Sequence, residues 1–315
     1  MSLGLKQAKC HPILAVEIDR DAVLTYRRNF PSANIFAGDV KQYSFKKYRN
    51  KVDLVAGGPP CQPFSVAGSQ KSHNDPRDMI PEFIRAVREI NPKVFLMENV
   101  AGLNSPRHRV YLQAALDALA ELKYDIKGHV HNAANFGVPQ DRQRLIVVGT
   151  KDTGFEFPKP MYGPGNRFAY KSAWEAIADA PEDEPNRAII TYAKQPVLRP
   201  SPFAGMLVNG GGRPINLQRP SQTIPASAGG NRTHIVDRDM LLVEYHGHLI
   251  NGGRPRSGLV EGVRRLTVRE SARLQTFPDK FEFAGPRSSK YRQIGNAVPP
   301  VLSKAIGRRI FKFIA

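Results

Sequence analysis

The first half of the chain alternates between two hydrophobic periods. Short apolar runs rich in β-branched residues at 13–19 (ILAVEID), 52–56 (VDLVA), 94–97 (VFLM) and 145–148 (LIVV) predict strands buried on both faces. Between them, Ile80, Phe83, Ile84 and Val87, and then Leu112, Ala115, Leu116, Leu119 and Leu122, recur at helical spacing. Strand and helix in alternation predict a parallel α/β sheet, whose ligands bind beyond the carboxyl ends of the strands. Chemistry is therefore to be sought just after each apolar run.

The texture changes near residue 155. From there to about 260 the chain is dense in Pro, Gly, Asn and Arg, with clusters such as Asn209-Gly210-Gly211-Gly212-Arg213 and Gly229-Gly230-Asn231-Arg232-Thr233-His234. No long helical period is visible there, which predicts short strands joined by exposed loops, the usual place of recognition on a scaffold. From Leu266 the helical pattern returns, and residues 301–314 read as a basic amphipathic helix.

Composition narrows the class. At 315 residues, 41% hydrophobic and 23% charged, the chain can bury one large core or two ordinary ones, and disorder is excluded. The charge changes the picture more: 46 Lys and Arg against 28 Asp and Glu give +18, which points to a polyanionic partner. Residues 251–315 alone hold 14 basic against 4 acidic residues, so the excess is concentrated late in the chain. Two cysteines, Cys10 and Cys61, are too few for a disulfide framework or a Cys-rich zinc site. No apolar run approaches the roughly 18 residues of a membrane span. A reducing cytoplasm is the expected location.

Three groups stand at the expected strand ends. Cys61 follows Gly57-Gly58-Pro59-Pro60, and a cysteine so braced is poorly suited to core filling; with its pKa lowered it becomes a thiolate nucleophile. Glu98 follows VFLM. It could be a solvated or capping carboxylate, but in a partly dry pocket its pKa rises and it can act as an acid. Gln140, Arg142 and Arg144 alternate before LIVV, either as a charged edge against aggregation or as a row of donors aimed at phosphate or a base carbonyl.

Gly-Pro-Pro-Cys-Gln-Pro-Phe-Ser at 58–65, Glu-Asn-Val at 98–100, Gln-x-Arg-x-Arg at 140–144, Arg-Arg-Leu-Thr-Val-Arg-Glu-Ser-Ala-Arg-Leu-Gln-Thr-Phe-Pro-Asp at 264–279 and Gly-Asn-Ala-Val-Pro at 295–299 resemble, in order and spacing, the motif series of DNA (cytosine-5) methyltransferases. The resemblance implies an α/β fold, a Rossmann-like S-adenosylmethionine-dependent methyltransferase sheet with a smaller, loop-rich target recognition domain. It implies that Cys61 attacks C6 of a cytosine flipped out of double-stranded DNA, that Glu98 meets ring N3, that Arg144 holds the base carbonyl and that Arg142 assists. For the cofactor it implies Glu17 on the ribose hydroxyls, Ile18 on the adenine, Asp39 on its amino group, and Pro60, Ile80 and Asn296 completing the pocket; no metal is implied. Gln140, Arg213, Arg219, Thr223, Arg232 and Thr233 are the expected DNA contacts, with His234 beside them.

The same resemblance divides the chain into a catalytic and cofactor-binding domain at 1–172, a target recognition domain with its hinge at 173–289, and a segment at 290–315 returning to the first. It implies a monomeric, nucleoid-associated enzyme paired in function with a restriction endonuclease without a stable complex. Two rivals remain: a tRNA cytosine-5 methyltransferase, and an inactive DNA-binding homologue. One departure supports the second rival. Family members open with a strand and a Phe-x-Gly-x-Gly-Gly loop, whereas this chain opens at Met1-Ser2-Leu3-Gly4-Leu5, which resembles only the segment after that loop. A start codon placed downstream, a second chain or a genuine truncation would each account for it. That strand is normally central, so the strands flanking its place are expected to lack a partner on one edge.

Overall fold

A computed structural model describes residues 1–60 and 77–315, and the chain divides into two compact units. The first comprises Met1–Phe136, Arg142–Met161 and Val298–Ala315; the second comprises Gly137–Asp141 and Tyr162–Ala297. These limits differ from the boundaries at 172/173 and 289/290 that the motif series implies. Tyr162 packs on Gly137, and Tyr291 lies fully buried among Ile215, Ile224 and Leu266, which carries both flanking stretches into the second unit.

The first unit begins with α1 (Ser2–Gln7), β1 (Leu14–Glu17), α2 (Arg20–Asn29), β2 (Asn34–Ala37) and β3 (Leu54–Gly57). It continues with α3 (Ile80–Ile90), β4 (Val94–Val100), α4 (Arg109–Ala120) and β5 (Asp125–Asn132). A two-residue β6 (Gln140–Asp141) lies in the second unit, and β7 (Gln143–Thr150) returns to the first. The apolar faces of α3 and α4 are those the spacing predicts: Ile80, Phe83, Ile84, Val87, Leu112 and Leu119 join Phe95, Met97, Leu145 and Val147 in one core. Fully burying each of these side chains contributes about 1.5–3 kcal/mol before entropy is counted.

Among the described residues the strands of the first unit form two separate sheets. β1 pairs with β2, in parallel, while the other sheet has the order β3-β4-β7-β5. Among the described residues no strand pairs with the free edge of β1 or of β3. Both strands nevertheless pack on one cluster, because Leu14, Val16 and Val55 all lie against Phe45, Ala86 and Ile90.

Two expectations are corrected here. Burial on both faces holds for β4, whose first six residues are all buried, but β1 is partly exposed throughout and Ala56 of β3 is exposed. The sheet is also mixed, since β7 runs antiparallel to β4 and to β5. This reversal matters for chemistry: the start of β7 lies at the carboxyl end of β4, with Arg144 opposite Val100. In a wholly parallel sheet those arginines would stand at the other end.

The second unit is built from short pieces: α5 (Ala173–Ile177), β8 (Tyr192–Val197), β9 (Met206–Val208), β10 (Ser221–Gln222), β11 (Ile235–Asp237), α6 (Leu241–Ile250), β12 (Val263–Arg265), α7 (Val268–Leu274) and α8 (Arg287–Asn296). The ten-residue α6 is absent from the sequence expectation. Its start is fixed by Asp237, whose carboxylate accepts from the Leu241 N–H at 2.9 Å and the Leu242 N–H at 2.8 Å, a cap without which the first turn leaves its donors unsatisfied. The Arg-Arg-Leu-Thr-Val-Arg-Glu run also has a structural use. Thr267 and Glu270 form a capping box on α7, and Arg264 grips both Glu270 oxygens at 2.7 and 2.6 Å.

α9 (Pro300–Phe311) closes the chain in the first unit, packed on α1. Among the described residues no helix is long and apolar enough to cross a membrane.

Candidate active site

Glu98 and Arg144 meet because of the β4–β7 register. Glu98 is opposite Ile146 and Arg144 opposite Val100, so the two side chains are diagonal neighbours on one face of the sheet. The Arg144 Nε lies 2.9 Å from Glu98 Oε1, with both side chains largely shielded from solvent. Burial raises the Glu98 pKa above the usual carboxylate range, and the charges of Arg144 and Arg142 only partly pull it back. A proton is thus held on this carboxyl group more readily than on an exposed one. Arg144 is itself lowered by burial, offset by Glu98.

Arg142 sits at the break between β6 and β7 and is fully buried. Its N–H donates to Asn132 Oδ1 at 3.2 Å and its carbonyl accepts from the Ala133 N–H at 2.9 Å, which pins the backbone to the end of β5. The guanidinium adds positive field to Glu98. Glu98, Arg142 and Arg144 are thus brought together.

Cys61 lies outside the described residues, but the run leading to it is described. The Asn99 side-chain amide donates to the Pro59 carbonyl at 3.0 Å, and the Met79 N–H donates to the Pro60 carbonyl at 3.1 Å. The run is therefore tied both to the end of β4 and to the start of α3. A Cβ on Gly58 would stand 2.9 Å from Glu98 Oε2, closer than side chains approach, so glycine lets the loop pass against the carboxylate. One Glu98 oxygen faces Arg144 and the other faces the backbone that leads to Cys61. Asn99 and Gly58 are positioning residues that sequence reading passed over, although both lie inside the quoted motifs.

At the ends of β1 and β2 the expected cofactor residues form a second group. Glu17 Oε1 accepts from the Asp19 N–H at 2.9 Å, and Asp39 Oδ1 accepts from the Lys41 N–H at 2.9 Å. Ile18, the residue after β1, is 70% exposed, an apolar side chain displayed to solvent. Two carboxylates and an exposed apolar side chain at the ends of paired strands suit a ligand with hydroxyl and amino donors and a flat ring. Pro60 is exposed as well. Ile80, also expected at the cofactor, is 1% exposed and belongs to the core cluster with Phe83. Asn296 ends α8 in the second unit and is exposed.

The expected DNA contacts divide by burial. Arg213, Arg219 and Arg232 are exposed cations in the second unit. Gln140 is fully buried, its amide accepting from the Ile224 N–H at 3.2 Å and donating to the Leu274 carbonyl at 3.5 Å. Thr233 is 1% exposed and its hydroxyl accepts from Asn186 Nδ2 at 3.0 Å. Both side chains are thus paired inside the protein, as buried polar groups usually are. Thr223 donates its hydroxyl to the Asp141 carbonyl at 2.7 Å, and His234 is buried against the Thr223 carbonyl.

The family model for C-5 cytosine-specific DNA methylases matches residues 1–312. The Type II methyltransferase M.Eco47II of Escherichia coli is 37% identical over 98% of this chain and 76% of its own length. The Type II methyltransferase M.NgoMIV of Neisseria gonorrhoeae is 32% identical over 99% of this chain and 93% of its own. Among solved structures, a triple mutant of Spodoptera frugiperda DNMT2 superposes with a TM-score of 0.70 at 19% identity, covering 98% of this chain and 95% of that one.

Proposed function

The chain belongs to the C-5 cytosine-specific DNA methylases, a family of S-adenosylmethionine-dependent DNA (cytosine-5) methyltransferases, and we propose a division of labour among its own residues. The Cys61 thiolate adds to C6 of a cytosine turned out of duplex DNA, which makes C5 nucleophilic. Glu98 in its protonated form donates to N3 and relieves the negative charge that addition places on the ring. Arg144 holds the base carbonyl, and Arg142 supplies fixed positive charge behind both. Bound S-adenosylmethionine supplies the methyl group as a sulfonium electrophile. A base then removes the C5 proton, the electrons of that bond reform the ring double bond, and Cys61 leaves as thiolate.

The cofactor is held by Glu17 on the ribose hydroxyls, Ile18 on the adenine face, Asp39 on the exocyclic amine and Pro60 at the loop. Arg213, Arg219 and Arg232 contact phosphates or base edges. The enzyme acts as a monomer and protects DNA from a cognate endonuclease.

The observation that carries this reading is the Glu98 carboxyl group, buried, raised in pKa, 2.9 Å from Arg144 and passed closely by the backbone leading into Gly-Pro-Pro-Cys. Such an arrangement suits a ring nitrogen that needs a proton at the moment a nucleophile attacks beside it. Purified protein with methyl-labelled S-adenosylmethionine, offered duplex DNA or tRNA, tests it. Label is expected in duplex DNA. Label in tRNA alone would overturn the substrate, and label in neither would leave a DNA-binding protein without turnover.

A further inference from the structure

Arg265 is, with Arg142, one of the two arginines among the fully buried side chains, at 1% exposure, and among the described residues no carboxylate neutralises it. Its partners are neutral and belong to different segments. Nη1 donates to the Thr233 carbonyl at 2.8 Å, and Nη2 donates to Asn209 Oδ1 at 3.2 Å and to the Asn209 carbonyl at 3.4 Å. One planar fork therefore bridges the two glycine clusters of the second unit.

Each partner extends the bridge. Asn209 Oδ1 also accepts from the Thr191 N–H at 3.2 Å, and its Nδ2 donates to the Ile189 carbonyl at 2.9 Å, which adds the start of β8. The Thr233 hydroxyl accepts from Asn186, whose amide also donates to the Gly230 carbonyl at 3.2 Å. The fit is close: a Cβ on Gly212 would fall 2.3 Å from the Thr233 carbonyl and 2.4 Å from Arg265 Nη1. The residue after Gly212 is Arg213, and the residue before Thr233 is Arg232, both exposed. Asn209 also lines an open cleft of about 610 Å³ with Tyr192, Lys194, Gln195 and Arg256, a lining that contains no acidic residue.

A buried, unneutralised guanidinium is costly, and an apolar side chain would close the end of β12 at lower cost. What an apolar residue cannot do is hold two carbonyls of separate loops at a fixed spacing. We propose that Arg265 is a positioning residue for target selection: it sets the spacing of the loops that present Arg213 and Arg232 to DNA. The proposal rests on the reading of those two arginines as DNA contacts.

The test compares the full chain with Arg265→Met and Arg265→Lys. Sequence contexts methylated on one plasmid are mapped by bisulfite sequencing, with KM for DNA, KM for S-adenosylmethionine, kcat and thermal unfolding measured alongside. Arg265→Met is expected to raise the DNA KM about tenfold and to methylate contexts that the parent leaves alone, with kcat and the cofactor KM within about twofold. Arg265→Lys keeps the charge and is expected to recover part of the selectivity. Unchanged contexts and DNA KM in Arg265→Met, with only the unfolding temperature lowered, would reduce Arg265 to a structural role and overturn the proposal. If Arg265→Met does not fold, Arg265→Lys decides: parental contexts and DNA KM would overturn it. A parent that labels no DNA would overturn both this proposal and the function it rests on, whereas a selective parent with equally selective variants sinks the proposal alone.

Discussion

Two pairs of strands in the first unit end in residues proposed for function, and they differ in what surrounds them. β4 and β7 sit inside a four-stranded sheet, each paired on both sides, and Glu98 and Arg144 project from a stretch that is almost wholly buried. β1 and β2 pair only with each other among the described residues, and Glu17, Ile18 and Asp39 stand at their partly exposed ends. The proposed catalytic pair therefore inherits its geometry from a buried, four-stranded frame, while the proposed cofactor group rests on a two-stranded ribbon of a kind that is marginal by itself. Substitutions at the first end should act on stability and chemistry together, and those at the second on ligand affinity alone.

The largest expected effect lies at the catalytic end. Glu98→Ala leaves Arg144 buried without its ion-pair partner and should cost about 3–5 kcal/mol in denaturant unfolding, together with a fall in kcat of about 10²–10³-fold. Unchanged stability would mean the Glu98–Arg144 pair is not part of the frame.

Next is an acid effect at the same frame. His131 lies opposite Arg144 in the β5–β7 register, is buried among His129, Phe136 and Phe157, and its pKa is lowered to about 4, chiefly by burial and then by His129. The folded protein therefore resists the proton that the unfolded chain accepts near its ordinary value. Stability from the neutral ring is accordingly present above about pH 6.5 and is lost as pH falls from there toward 4. The loss amounts to about 3 kcal/mol, and His131→Phe should show a shallower decline in pH-dependent unfolding. An identical slope in the variant would contradict the assignment.

At the cofactor end the effect should be smaller and of another kind. Ile18→Ala, at a 70% exposed position, should weaken S-adenosylmethionine binding about tenfold by calorimetry, about 1.4 kcal/mol, with the unfolding midpoint unchanged. Loss of stability would place Ile18 in the frame instead. The subtlest expectation concerns backbone motion: amides of β1 should exchange with deuterium sooner than those of β4. Equal protection would erase the contrast between the two strand pairs.

Much of this contrast was legible in the chain, for identifiable reasons. The runs at 94–97 and 145–148 are dense enough in apolar residues to mark buried strands, and the spacing of Ile80, Phe83, Ile84 and Val87 marks the inner face of α3. Strand direction was not legible, because an apolar run carries no polarity; only pairing in space shows that β7 is reversed and that Arg144 reaches Glu98. Helix α6 escaped because Leu-Leu-Val-Glu-Tyr-His-Gly-His-Leu-Ile shows little helical periodicity, and its cap, Asp237, stands four residues before it. The burial of Gln140 and Thr233 is not legible in the chain either, because these residue types can be exposed or internal and their partners, Leu274 and Asn186, are distant in sequence.

The central claim, that Gly-Pro-Pro-Cys-Gln brings a nucleophile to the Glu98–Arg144 pair, is tested most directly by covalent trapping. Duplex DNA whose cytosines carry fluorine at C5 cannot lose a proton there, so an enzyme that attacks C6 stays bound after methyl transfer. Incubated with such DNA and S-adenosylmethionine, the protein is expected to form an adduct that survives denaturing electrophoresis and whose peptide map places the DNA on Cys61. Absence of an adduct under conditions where unfluorinated DNA is methylated, or an adduct on Cys10, would contradict the account.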